Sequence, residues 1–148
     1  FAPAAVEAVR ATAFELVDDS GAVRGRWSLA AGGGPRFELL DRETGKALVE
    51  ASIRGKKSFL FLRDVAGHSR LALSVDEAGS PHLVLLDGLE RPRFHTAIGD
   101  SGWPNLLMAD EEGLPRAGLG MMPDGRVWAR PGHDEAWPLE PREGGKKD

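Results

Sequence analysis

The chain has 148 residues, a formal net charge of -4, 28% charged side chains, 19 glycines, 10 prolines and no cysteine. The missing cysteines exclude disulfide frameworks, thiolate metal sites and cysteine nucleophiles. The acidic balance speaks against nucleic-acid binding, which needs a basic face to displace counterions from phosphate. Length and the 41% hydrophobic content suit one domain with its own core, and the abundance of glycine and proline points to many turns.

In chain order, residues 1–11 read as a lead-in, a short helix or an extended segment whose apolar members are Ala4, Ala5, Ala8 and Val9. The chain opens on Phe1 rather than Met, so we expect a segment ahead of it to have been removed. The lead-in, broken by Pro3, is too short to span a bilayer, and no later run approaches the ~18 apolar residues that a transmembrane helix requires.

Residues 12–130 read as a β-hairpin repeat domain, with five tandem copies of one 23-residue unit over residues 12–126. Asp18, Asp41, Asp64, Asp87 and Asp110 mark the period. Two residues before each stands Leu16, Leu39, Leu62, Leu85 or Met108, and four before stands Phe14, Phe37, Leu60, Leu83 or Leu106. After the Asp comes Gly21, Gly67 or Gly113, with Glu90 in the fourth copy and a one-residue stretch to Gly45 in the second. Arg24, Arg70, Arg93 and Arg116 then lie across the hairpin neck, placed to meet the Asp.

Alternating apolar positions follow, as in Trp27 and Leu29, Val49, Ala51 and Ile53, or Leu71, Leu73 and Val75. This period of two is the mark of a strand with one buried face. Each unit ends on a second turn, with Gly33, Gly79, Gly102 and Gly125 in a column and Pro35, Pro81 and Pro104 two residues later. Asp folds its carboxylate onto nearby N–H groups, and Gly accepts the positive φ of a tight turn. The expected fold is all-β, ten or eleven antiparallel strands in meander order. Closure into a barrel, splitting into a sandwich and stacking as a hairpin solenoid remain open. Val127 to Arg130 reads as a capping strand, and residues 131–148 as a charged, glycine-rich, disordered tail.

On the opposite face the first copies place Glu15 and Glu38, as a half-solvated sheet would, but later copies place Phe59, Phe61, Val84, Leu86 and Leu107, with Trp103 and Trp128 nearby. Two readings stand: a sheet covered on both sides within the domain, or a contact surface for a protein partner or a second copy. We take these seven residues as the candidate interface.

Other candidates resolve to structure. The aspartates are spread one per repeat and do not converge as calcium ligands. His82 and His95 lie on the two strands of one hairpin without a third ligand, while His68 and His133 stand in a turn and beside the tail. Gly32-Gly33-Gly34 leads to no Gly-Lys-Ser/Thr, and no serine stands in a Gly-x-Ser-x-Gly context. We therefore expect no catalytic residue, no cofactor and no metal.

The register Pro-x-Leu-x-Leu-x-Asp-x-x-Gly-x-x-Arg-x-x-Leu, best seen from Pro81 to Ile98 and from Pro104 to Met121, resembles a loose group of uncharacterised bacterial proteins with tandem copies of this hairpin. Those proteins often carry an N-terminal membrane anchor or signal. The resemblance implies a signal or single membrane helix ahead of Phe1, with membrane association only through it, and an extracytoplasmic place for the domain. It implies no activity. We expect a non-catalytic interaction or scaffold module, an accessory subunit of a membrane-associated assembly. The alternative is a glycan or small-ligand module using Trp27, Trp103, Trp128 and Trp137 as stacking platforms.

Overall fold

A computed structural model describes residues 10–99 and 101–130, in which every regular element is a strand. The lead-in before Arg10, His133, Trp137 and the tail therefore lie outside the described residues. The strands are β1 (Ala13–Val17), β2 (Val23–Leu29), β3 (Pro35–Leu40), β4 (Ala47–Arg54), β5 (Lys57–Arg63) and β6 (Ser69–Val75). They continue as β7 (Pro81–Leu86), β8 (Pro92–Ile98), β9 (Pro104–Ala109), β10 (Pro115–Met121) and β11 (Val127–Arg130). They form one antiparallel sheet in the order β1 to β11, so the meander is borne out and the ribbon neither closes into a barrel nor splits into two sheets. Several strands open on proline (Pro35, Pro81, Pro92, Pro104 and Pro115), the strand position where a missing N–H is tolerated.

The hairpin heads explain the regularity. In the first, Asp18 N–H donates to the Ala22 carbonyl at 3.0 Å and Gly21 N–H to the Asp18 carbonyl at 2.8 Å. The same pair of bonds recurs at Asp64, Asp87 and Asp110. Each of these turns carries one residue at positive φ, which is Gly21, Gly67 and Gly113 but Glu90 (φ 59°) in the fourth copy. Such a turn followed by a left-handed residue makes a bulge, and the register shifts beside each of these heads.

The second copy departs where the sequence does. Its head holds one more residue, closing from Asp41 N–H to the Lys46 carbonyl. The opposite hairpin compensates, because Arg54 pairs directly with Lys57 across the two residues Gly55 and Lys56. With Gly55 alone at positive φ (62°), this is the primed turn that matches the twist of paired strands.

Parity then sorts the side chains. One row across the front face runs Leu16, Gly25, Leu39, Val49, Leu62, Leu71, Leu85, Phe94, Met108 and Ala117. The row beside it runs Phe14, Trp27, Phe37, Ala51, Leu60, Leu73, Leu83, Thr96, Leu106, Leu119 and Ala129. These are the apolar columns of the sequence, side by side in register.

Period two implies one buried face, but in the single chain the front face is not buried. Leu16 is 66% exposed, Trp27 60% and Met108 47%. Among the described residues Ala97, on the back face, is the one buried hydrophobic residue, and no large side chain is fully buried. The physical reason is topology: a single sheet supplies no second layer to stack on its own front.

Gly33 sits at φ 79° with open space where a Cβ would stand, so the cost of a side chain there is purely that of the left-handed backbone. Gly33→Ala is expected to lower unfolding free energy by about 1–2 kcal/mol. Gly32→Ala, which also meets open space but lacks the positive φ, should be near neutral. Paired urea titrations check both.

Candidate interaction surface

The edge formed by the Asp heads is a chain of charge-assisted bonds. Asp18 Oδ1 accepts the N–H groups of Ser20 and Ala22 at 2.9 and 3.1 Å, and its Oδ2 accepts Arg24 Nε at 2.7 Å. Arg24 Nη1 then donates to the Arg42 carbonyl of the next head at 2.8 Å. Lys46 Nζ continues to the Ala66 carbonyl at 2.6 Å, Arg70 to the Asp87 carbonyl, and Arg91 to the Glu111 carbonyl at 3.0 Å. Arg70, Arg93 and Arg116 each also hold the aspartate of their own copy. Glu90 adds a bond backwards, accepting Ser69 N–H at 2.7 Å. The Asp–Arg pairing was legible in the sequence. The handover to the next head was not, because its acceptor is a backbone carbonyl that no residue type announces.

These contacts hold the carboxyl groups of Asp18, Asp64, Asp87 and Asp110 below their ordinary range, and the N–H and hydroxyl of Thr44 do the same for Asp41. For Asp18 the leading cause is the Ser20 hydroxyl, followed by Arg24. For Asp87, partial desolvation pushes upward but is outweighed by the N–H groups of Arg91 and Leu89 and by the Arg91 and Arg93 guanidinium groups.

The back face is divided. Over the early strands it is charged and aromatic. Glu50, 5% exposed, accepts the Ser52 hydroxyl at 2.9 Å, Arg54 at 2.7 Å and Arg63 at 2.8 Å. Desolvation raises the Glu50 carboxyl, and these three donors outweigh it, so the net shift is downward. Phe59 and Phe61 stack 5.6 Å apart; the Arg54 guanidinium lies 5.4 Å from both rings and that of Arg63 lies 5.3 Å from Phe61. Glu38 stands cross-strand from Glu50 and pairs with Arg36 at 3.3 Å.

Over the later strands the back face is apolar with a histidine pair. One row runs Phe61, Ala72, Val84, His95, Leu107 and Gly118. His82 and His95 stack 5.4 Å apart, with His82 Nδ1 3.2 Å from His95 Nε2 and His82 Nε2 3.2 Å from Asp76 Oδ2. A carboxylate only accepts, so Nε2 of neutral His82 carries its proton and His95 donates to Nδ1. Desolvation and then the neighbouring His82 push the His95 imidazole below its ordinary value. Among the described residues no group of three or more His, Cys, Asp or Glu is placed to hold a metal ion.

Of the seven candidate interface residues, Phe59, Phe61, Val84, Leu107 and Trp128 lie on back-face rows. Leu86 pairs with Pro92 past the bulge at a hairpin head, and the Trp103 carbonyl closes the turn before β9. All seven are half-buried. Trp128 lies over Gly118 and Gly120, where an added Cβ would collide with the indole. Of the tryptophans of the ligand-binding alternative, Trp27 is on the front and Trp128 on the back. What sequence reasoning placed inside, the front rows of Leu16, Trp27, Leu39 and Met108, stands exposed. No family model and no curated protein matches the chain.

Because the head aspartates titrate below their unfolded value of 3.8, they bind fewer protons folded than unfolded as pH falls past it. Their stabilisation is thus full above that value and lost below it. His95 works in the same direction at higher pH: its folded value lies below the ordinary 6.5, so its neutral form favours folding and acidification through 6.5 weakens it. We expect a two-stage loss of stability on acidification, measured as the urea midpoint against pH. His95→Gln should remove only the upper stage.

Proposed function

We propose that this domain is a non-catalytic interaction or scaffold module, an accessory subunit of a larger membrane-associated assembly. One observation carries the reading: Phe61, Val84 and Leu107 stand in one back-face row of a single-layer sheet, with Ala72 and His95 between them. Surfaces of this extent on soluble proteins mark contacts with other macromolecules. The back-face strip of Phe61, Val84 and Leu107 receives the protein partner, with Phe59, Leu86, Trp103 and Trp128 around it. Its flank is rigid, because the Phe59 and Phe61 rings are fixed by Arg54 and Arg63.

The resemblance of the repeats to anchored bacterial proteins supports an extracytoplasmic place, with the membrane reached through a segment ahead of Phe1. Regularity supports the absence of catalysis, since each repeat spends its polar groups on turns and latches rather than on a concave site.

The test is gentle purification of the full-length protein from its native membranes, with identification of what remains bound in stoichiometric amount. Val84→Glu combined with Leu107→Glu should weaken that partner by roughly tenfold or more, the scale of losing one central apolar contact. Unchanged partner recovery with a folded double variant would reject the back-face strip.

A further inference from the structure

We infer that the front face is covered by the front face of a second copy of this chain, two eleven-stranded sheets stacking into one sandwich. This goes beyond the accessory-module reading and uses the opposite face, so the two stand or fall separately.

The front face has the composition of a core. Its strand positions hold no charged residue, and its hydroxyls belong to Ser58 and Thr96. Thr96 Oγ1 already donates to the Asn105 carbonyl at 2.7 Å, so covering it strands no donor. Exposure is not confined to one repeat: Leu16, Leu39, Leu62, Leu85 and Met108 are each at least 40% exposed, one from every copy.

The area suits a stable dimer. Eleven strands at about 4.8 Å spacing and strands of about seven residues at 3.3 Å give a footprint of roughly 1,100 Å² per copy. Two copies then bury roughly 2,200 Å² or more, in the range of obligate homodimers. Sheets stack face to face at about 10 Å with their side chains interdigitated. The front rows supply both partners of that packing, small residues such as Gly25, Ala51 and Ala117 and large ones such as Trp27, Phe37 and Phe94.

A second copy fits better than an unrelated cover for two reasons. The cover must span eleven strands of uncharged surface, and this chain presents such a surface with the same hairpin spacing. Identical copies also repel one another only through charges that face each other. Here the net charge of -4 resides off the front strands, and the head aspartates are held by arginines at the sheet edge.

The chain has no cysteine, so one engineered thiol reports position without ambiguity. Leu73 lies in the middle front row on β6, the sixth of eleven strands, where a central two-fold axis brings it near its own mate; Ala72 beside it faces the back. With a short bismaleimide, the full chain carrying Leu73→Cys should form a covalent dimer at micromolar concentration, and Ala72→Cys several-fold less. Sedimentation equilibrium of the unmodified chain should give twice its 15.9 kDa mass. A monomeric mass, or cross-linking that follows Ala72→Cys instead, would overturn the sandwich. A monomer that still recovers its back-face partner would do so while leaving the accessory-module reading intact.

Discussion

The aspartate at each hairpin head is the constraint on which the rest depends. In the first, third, fourth and fifth copies its carboxylate gathers turn N–H groups on one oxygen and an arginine on the other, whereas Asp41 gathers the Glu43 and Thr44 N–H groups and the Thr44 hydroxyl. That closure sets how many residues separate the strands, and so sets parity. A slip of one residue would send every front side chain to the back. The handover of Arg24, Lys46, Arg70 and Arg91 to the carbonyl of the next head ties successive copies in one register. The sheet edge is therefore an ordering device, and the second copy shows its tolerance: an extra residue at Asp41 is matched by the shorter turn at Gly55 and Lys56.

Parity has produced two unlike faces. The front is uncharged and open. The back shields itself with long side chains, Arg54 and Arg63 over the phenylalanines and Trp128 over Gly118 and Gly120, and the two arginines cover Glu50 without a second layer. Each strand packs only on its sequence neighbours, so stability accumulates along the ribbon as in other repeat folds. Ordering a residue's backbone costs roughly 1–2 kcal/mol, and a ribbon without a core has little burial to offset it. A second layer against either face would add the burial that the single sheet lacks.

Much of this was legible in the sequence for a stated reason. A period of two names the residues that share a face, and the Asp and Gly columns name the turns, so the meander, the front columns and the Asp–Arg pairs follow from residue types. Burial does not follow, because a pattern records that a face wants cover and not which molecule supplies it. Leu16 and Trp27 read as core and stand exposed for that reason. Glu90 in place of glycine gave no hint of its bond to Ser69, since the partner is a backbone N–H twenty-one positions away. The histidine pair was placed on facing strands by spacing alone, but its link to Asp76 depends on how the intervening turn folds.

If an identical ribbon completes this one, folding and association are one event. The direct measurement is the thermal midpoint of the full chain across a wide dilution series, because a fold that exists only when paired is stabilised by mass action. The midpoint is expected to fall steadily on dilution, with unfolding and loss of the dimer coincident. A midpoint independent of concentration, in a chain that stays monomeric throughout, would contradict it.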